Sequence, residues 1–379
     1  MNGYVQAGNL TSSTATLATN TLANFKLQNV NNSIKLVLQS GLNPDNPRVK
    51  VIQNTPAAKG LTTVLERFST SAVKFNSELD KVLRRLTGQS VDGKTLTTDE
   101  SEQASIHLTP NTSMSGGNSA ALNNVSRAFS SNITTRLAGV RSTDQQTGLA
   151  GGDQVLRGIE LWTQPFISSI SQDKSDGIDA KSRGVSIGAD TLVMDNFRVG
   201  IAVGYSDSDV DGTGSRSGDT SDISGYQATL YGAYTRGPWY ADLQLGYSLS
   251  QTEALRNTGI TNNNLIAEGE YDTQQYAARL AGGYNYTFNG LELTPNLFFQ
   301  ITKSKQDGYT EKSAGSAGLT VDSVDTVSKQ AGIGLRLAYP VAIQAGRLVP
   351  ELRLGYTREF DNDRPTVTST FLGGGGAFD

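Results

Sequence analysis

The sequence has no cysteine, and among its 379 residues there is a single histidine, His107. Without cysteine the chain has neither disulfide bonds nor thiolate metal ligands. A histidine-dependent catalytic triad is not expected, because His107 falls in a polar stretch that predicts a solvated loop. No phosphate-cradling loop occurs between a strand and a helix, and "GGGGAF" at 373–378 indicates a flexible loop instead. We therefore predict no enzyme, no metal site and no cofactor.

Long apolar runs and an excess of positive charge are also absent. The formal net charge is −4, which does not favour nucleic acid as a partner. No segment approaches the ~18 consecutive apolar residues of a membrane-spanning helix. A transmembrane β-barrel is not excluded, because only every second residue of its strands faces lipid. Residues 1–20 lack the charged and apolar regions of a signal peptide, which indicates a cytosolic protein or the later part of a longer chain.

Residues 1–56 show short stretches of alternating polarity. In "IKLVLQS" the apolar residues Ile34, Leu36 and Leu38 lie on one face, and asparagine-rich turns surround this stretch. The pattern predicts a β-rich segment, either the last rungs of a β-helix or a few isolated strands.

Residues 57–118 are expected to hold one helix and a linker. An apolar stripe predicts a single amphipathic helix over 61–87, with a capping-box pair at Thr63 and Glu66 and a stop at Gly88. Residues 88–118 are polar and rich in glycine, serine and threonine, which predicts a linker that contains His107.

A second helix is predicted over residues 119–138, within a segment 119–157. Leu122, Val125, Phe129, Ile133 and Leu137 recur at three- and four-residue steps, as on one face of a helix. The other face is built of Asn, Ser, Thr and Arg. At 1.5 Å per residue this helix is about 30 Å long, which matches the hydrocarbon thickness of a bilayer.

From residue 158 to 379 the polarity alternates with period two. We predict nine strands, near 158–170, 182–193, 197–209, 222–235, 239–255, 270–288, 291–305, 325–340 and 347–360. One face of these strands is almost purely apolar and the other is polar, charged or glycine. Short turns alternate with long polar loops, and aromatic residues stand at the strand ends, both of which are typical of an outer-membrane barrel rather than of a soluble sheet.

The barrel interpretation assigns a lipid face. It includes Val199, Ile201, Val203, Leu243, Leu245, Leu335 and Leu352. An arginine at Val203 or Leu245 is expected to destabilise the barrel, whereas an arginine at the inward residue Gln244 is expected to be tolerated.

Six segments in order resemble the autotransporter β-domain of type V secretion: "GIELWTQPF", "GVSIGADTLV", "FRVGIAVGYS", "QATLYGAY", "GLRLAYPV" and "LVPELRLGYTREF". The resemblance implies a mainly β fold: a transmembrane antiparallel β-barrel, twelve-stranded in the family, with nine to ten strands present here. It further implies a helix in the barrel lumen and, before it, the β-helix-like or helical end of a passenger. Because the family's last strands and a signal peptide are not recognised, we interpret the chain as a fragment clipped at both ends.

The resemblance also implies a function and its partners. The chain would be a monomeric translocator and anchor in the outer membrane of a Gram-negative bacterium, which delivers an N-terminal passenger, an adhesin or other surface protein, to the cell surface. Its partners would be outer-membrane lipid, its own passenger, the barrel-assembly machinery and periplasmic chaperones, with no nucleic acid. A porin-like channel and a soluble β-rich adhesin are the alternatives.

Candidate site residues follow from the predicted lumen. On the helix they are Asn123, Asn124, Arg127, Asn132 and Arg136; on the inward strand face they are Arg198, Asp242, Arg279, Glu292, Arg336, Glu351 and Arg353. We expect the two helix arginines to lie near inward acids such as Asp242, Glu292 or Glu351. Some family members cut the chain at a cyclising asparagine in this helix. Here Ser131 stands at that position before Asn132, so self-cleavage is disfavoured.

Overall fold

The computed structural model describes residues 23–30, 33–55, 58–69, 76–110, 112–141, 158–173, 176–258, 266–343, 346–361 and 366–379. The helices are α1 Pro47–Asn54, α2 Leu61–Ser69, α3 Ser77–Leu86, α4 Thr98–Leu108 and α5 Thr112–Arg141. The strands are β1 Ala23–Val30, β2 Ser33–Leu42, β3 Ile159–Gln172, β4 Ile178–Met194, β5 Phe197–Gly212, β6 Thr220–Arg236, β7 Trp239–Asn257, β8 Ile266–Tyr284, β9 Tyr286–Phe288, β10 Leu291–Gln306, β11 Tyr309–Thr310, β12 Leu319–Val321, β13 Val324–Ala338, β14 Val341–Ile343, β15 Gly346–Leu348, β16 Glu351–Glu359 and β17 Ser369–Phe371.

One large antiparallel sheet dominates the structure. Its strand order is β16-β13-β10-β8-β7-β6-β5-β4-β3, with β9 paired to β10. Each long strand therefore pairs with the long strand before and after it along the chain, and the sheet curls into a half-barrel around a helix. All nine predicted strands are present, and the predicted fold class is confirmed.

Helix α5 lies on the concave face of this sheet, against β3 to β6. It contains the predicted span 119–138 but begins at Thr112 and ends at Arg141. Thirty residues at 1.5 Å each give a length of about 45 Å, so the helix is longer than the hydrocarbon layer. Within the described residues, no helix is both long and apolar enough to cross a membrane.

A second structural unit covers the end of the sheet where α5 begins. Helices α1 to α4 pack on the long loop between β10 and β13 and on the segment after β16. We call this unit the cap; it comprises residues 43–55, 58–69, 76–110, 307–323 and 366–379. Its apolar core includes Ile52, Leu65, Leu83, Leu319 and Phe371, which are all almost completely buried.

The cap differs from the linker predicted for residues 88–118. Helix α4 occupies 98–108, and the capping box forms at Thr97 and Glu100 rather than at Thr63 and Glu66. His107 is 9 % exposed instead of solvated. The sequence pattern is misleading here because α4 is flanked by serine and threonine, which cap helices as readily as they form loops.

The predicted helix over 61–87 is described as α2 and α3, while residues 70–75 lie outside the described residues. Gly88 follows α3 with φ +89°, the left-handed conformation that commonly ends a helix.

The first predicted segment, 1–56, contains a hairpin and a helix. Strands β1 and β2 pair antiparallel, from Ala23 opposite Leu42 to Val30 opposite Ser33. The described part of this segment thus holds one antiparallel hairpin, and the assignment of the segment to the end of a passenger stays a prediction. The predicted pieces in residues 1–22 lie outside the described residues.

Candidate functional site on the concave face of the sheet

The convex face of the sheet carries a broad apolar band. Large side chains stand exposed on successive strands: Ile201, Val203, Leu230, Leu243, Leu245, Leu280, Leu297, Ile333 and Leu352. The predicted lipid-face residues Val199 and Leu335 are on the same face but half-buried. Such a continuous apolar surface is costly in water and is suited to lipid contact.

Aromatic residues border this band on both sides. Tyr205 pairs with Tyr226, and Tyr247 with Tyr276, with ring centroids 5.2 and 5.0 Å apart. At the opposite border Trp239 packs edge-on against Tyr284. Eight residues separate Trp239 from Tyr247, so the band is about 26 Å long along the strand. The nine residues from Trp239 to Tyr247 agree with the ~9–11 residues that a tilted transmembrane strand needs.

The apolar stripe of α5 packs onto the first four strands of the sheet. Phe129, Ile133 and Leu137 are buried against the inward residues Trp162 and Tyr231. The sequence predicts a purely polar lumen, and these two aromatic residues are a departure from it. Glycine makes room for the contact, because a Cβ at Gly204 would overlap the Phe129 ring.

Asparagine side chains of α5 bind the strands beside this stripe. Asn132 donates to Ser186 Oγ at 2.9 Å and to the Gln164 carbonyl at 3.1 Å. Nearer the cap, Asn118 donates to Tyr271 Oη at 2.8 Å. Asn124 donates to Ser168, and the Gln275 side chain donates to Asn123 Oδ1 at 3.5 Å. The predicted asparagines thus all contact the sheet, and Asn118 is a further contact that the sequence did not indicate.

A buried ion cluster holds the other end of α5. Arg136 Nε lies 3.0 Å from Asp190 Oδ2 and also pairs with Glu160. Arg198 pairs with both carboxylates, at 3.2 Å from Glu160 Oε1. Tyr231 donates its hydroxyl to Asp190 at 2.9 Å. Two cations and two anions therefore neutralise each other between the helix and β3 to β5, as charges removed from water require.

Arg136 pairs with inward acids, but not with the three that were named as examples. Arg136 pairs with Asp190 and Glu160, and Asp242 is instead 2.6 Å from Arg141 Nη1, one turn further along the helix. The reason is that α5 leans on β3 to β6 rather than standing centrally. Arg127 faces away from these strands, and its Nη2 donates to Asn124 at 3.4 Å.

The remaining predicted lumenal residues lie on β8 to β16. Arg336 joins Glu292 at 3.0 Å and Glu351 at 2.7 Å, and Arg353 also pairs with Glu351. Arg279 lies 3.7 Å from the Phe298 ring centroid and donates to Gln300 at 3.1 Å. Between these strands and α5 there is a cavity of about 280 Å³, lined in part by Arg127, Ser131, Arg141, Arg279, Arg336 and Arg353.

Several functional residues were missed from the sequence. The ion pairs of α5 involve Glu160, Asp190 and Arg141. The apolar stripe of the helix packs against Trp162 and Tyr231. Glu160, Asp190 and Tyr231 share the inward register of Arg198, so the strand alternation alone contains this signal. Among the described residues no group of three or more His, Asp or Glu is arranged to hold a metal ion.

An apolar convex band with aromatic borders and a helix bound to the concave face define an outer-membrane β-barrel of the translocator class. The model of the autotransporter β-domain matches residues 161–379, more than half of the chain, so the chain belongs to this family. The resemblance drawn from the sequence is thus confirmed. The protein is located in the Gram-negative outer membrane and has a translocator role there.

Curated relatives include Outer membrane protein B of Rickettsia rickettsii, 30% identical over 202 residues, which covers 50% of this chain and 12% of that protein. Outer membrane protein A of the same species is 24% identical over 287 residues, covering 71% of this chain and 13% of that protein. The chain thus matches about an eighth of the length of these relatives.

Solved structures with a similar fold include the translocator domain of the autotransporter NalP from Neisseria meningitidis. It is 15% identical, with a TM-score of 0.49, and the match covers 65% of this chain and 84% of that one. The β domain of the Bordetella autotransporter BrkA is 20% identical, with a TM-score of 0.42, over 56% of this chain and 84% of that one.

Proposed function

We propose that the chain exports and then anchors a surface passenger, and that α5 remains in the lumen as a plug. The observation that carries the proposal is the buried cluster of Arg136, Arg198, Glu160 and Asp190, which ties the helix to the sheet. Removing such a helix would take away Arg136 and leave the two carboxylates Glu160 and Asp190 with Arg198 as their one cation, so the helix-bound state is favoured.

Crosslinking in living cells tests whether α5 occupies the lumen. Because residues 1–379 contain no cysteine, the introduced cysteines are the reactive thiols of this part of the protein. The pair Asn132→Cys and Ser186→Cys replaces side chains that are hydrogen-bonded at 2.9 Å, so a short bifunctional thiol reagent should join them. The matched control is Ser131→Cys with Ser186→Cys, since Ser131 faces the cavity on another side of the helix. Equal crosslinking of both pairs would contradict the assignment.

A porin-like channel is the second candidate, because the cavity of about 280 Å³ runs beside α5. Planar-bilayer recordings on protein from the full reading frame distinguish the two. As a plug, α5 keeps conductance low, and deletion of residues 112–141 raises it strongly. The variant Asp190→Asn, which loosens the helix without removing it, should give an intermediate conductance. Porin-sized conductance in the unaltered protein would instead support the channel.

The assembly partners are part of the same proposal. Insertion of a curled sheet with an apolar convex face calls for the barrel-assembly machinery, and transit of that sheet through water calls for periplasmic chaperones. We propose a monomer, since the convex band is fully used by lipid. Depletion of the assembly machinery should leave the chain uninserted and protease-sensitive, and insertion at a normal level would contradict this step.

We propose further that the passenger is an adhesin and that the described part of the chain acts without catalysis. The support is the residue content: one histidine, buried in the cap, and no cysteine. Bacteria that display the protein from its full reading frame should bind host cells or matrix more than bacteria that display the β-domain alone. Equal binding, or hydrolysis of a surface substrate by the displayed protein, would overturn the adhesin assignment.

A further inference from the structure

The cap is attached to the sheet through a compact polar joint at the end of α4. Arg256, at the end of β7, donates to the His107 carbonyl at 2.6 Å and to Glu311 at 2.8 and 2.5 Å. Arg216, in the turn after β5, donates to Thr109 and to the Pro110 carbonyl, both at 3.2 Å. Two arginines of the barrel strands and turns thus hydrogen-bond to residues 107–110, the last residues of the cap before α5 begins.

The charges of this joint are nearly closed to solvent. Arg216 and Asp219 are each 1 % exposed, with Arg216 Nη1 3.7 Å from Asp219 Oδ2. Glu311 accepts from Arg256 and from the Leu319 backbone nitrogen at 2.8 Å. The carboxylates of Asp219 and Glu311 therefore neutralise the two arginines. Any additional charge in the joint would be buried without a partner of opposite charge.

His107 lies within this joint and is the one histidine of the chain. Within the described residues its Nδ1 is buried and has no hydrogen-bond partner. Burial lowers the pKa of His107, and Arg216 and Arg256 lower it further, while the Asn257 carbonyl acts in the opposite direction. A proton on this imidazole would add a third cation to a buried joint that already holds two arginines.

We propose that the joint is a pH-sensitive latch: protonation of His107 weakens the attachment of helices α1 to α4 to the barrel and so favours opening of the outer mouth of the lumen. The direction follows from linkage. Because the pKa of His107 is lower in the docked cap than in the undocked state, the undocked state takes up the proton first. Docking is fully stable above about pH 6.5 and weakens as the pH falls below that value.

Hydrogen exchange of the cap amides tests the latch on the complete protein in lipid. After correction for the intrinsic rate, protection of residues 47–108 should fall about tenfold per pH unit once the pH is below the ordinary histidine pKa. The variant His107→Gln keeps Arg216, Arg256, Asp219 and Glu311, and its protection should be flat between pH 7.5 and 5. The control His107→Gln with Lys94→His carries an exposed histidine instead and should stay flat.

A second measurement needs no variant. Histidine C2 exchange, read by mass spectrometry on the peptide that holds His107, reports the pKa of that side chain directly. A pKa below 6.5 in the docked protein agrees with the latch. A pKa at or above 6.5, an unchanged cap protection in the natural protein, or an equal loss of protection in His107→Gln would each overturn the proposal.

Discussion

The two ends of α5 are held in different ways. Inside the sheet, the helix is fixed by asparagine hydrogen bonds and a buried ion cluster, which together we call the polar seat, and by the apolar contacts of Phe129, Ile133 and Leu137. Outside, the cap is built on one contiguous apolar core that unites helices and barrel loops. A polar seat suits a segment that enters a water-filled lumen, because its side chains remain hydrated until they bind.

The largest effect is expected from Asp190→Asn. Asp190 is the carboxylate that Arg136, Arg198 and Tyr231 share, and its loss leaves buried cations without full compensation. We expect a loss of about 3–5 kcal/mol in the free energy of unfolding, measured by urea titration in lipid vesicles. The exposed pair Arg183–Asp207 is the matched control, and Asp207→Asn should cost about 0–1 kcal/mol. Similar losses at both sites would remove the distinction between the polar seat and the sheet surface.

The next prediction addresses the cap alone. Leu83 is fully buried in its core, and Leu83→Ala should destabilise the cap by about 2–5 kcal/mol. Proteolysis should then cut the cap helices readily, while the heat-modifiable gel mobility of the barrel is kept. The exposed neighbour Lys81 serves as control, and Lys81→Ala should change little. If the barrel unfolds together with the cap, the two regions are one cooperative unit.

The convex band provides the third prediction. Leu245→Arg should cost about 2–4 kcal/mol near mid-membrane, with folding followed by gel mobility. The tolerance expected at Gln244 does not suit the structure, because Gln244 donates to the Ser130 carbonyl at 3.3 Å and to Thr134 at 3.2 Å beneath α5. Thr357, which lines the open cavity, is the better inward control. An arginine tolerated at both Leu245 and Thr357 would argue against lipid contact.

The contrast between the regions also explains what the sequence could predict. Alternation along β5 or β7 is a strictly local signal, and it located nine strands and their lipid face. The partner of Arg136 depends on how α5 leans, which is set by the packing of Phe129 and Trp162 and not by either local pattern. The cap was not predicted because it too depends on long-range packing. Its core joins residues as distant in sequence as Leu65 and Phe371, and the local pattern of either segment does not predict that contact.

A fourth prediction tests the close contact of α5 with the sheet. Gly204→Ala places a methyl group against the Phe129 ring, and overpacking of this kind costs about 1–3 kcal/mol. The second change Phe129→Leu should recover part of the loss, because it removes the ring atoms that overlap, while the overlap with the Val185 carbonyl remains. Absence of recovery in the double variant would mean that the cost arises within the strand and not at the helix contact.

The smallest expected effect is a gain in stability, whereas the four changes above are expected to reduce it. Gly116 lies in the first part of α5, and a Cβ there meets no atom within 4 Å. Since glycine in a helix interior is less favourable than alanine by about 0.8–1.0 kcal/mol, Gly116→Ala should stabilise the helix by up to that amount. Because residue 116 stands between the cap and the polar seat, the location of the gain is informative. Slower hydrogen exchange confined to 112–125 would show that α5 frays from the cap side independently of the ion cluster. Slower exchange along the whole helix would show that the seat and the cap-proximal turns open together.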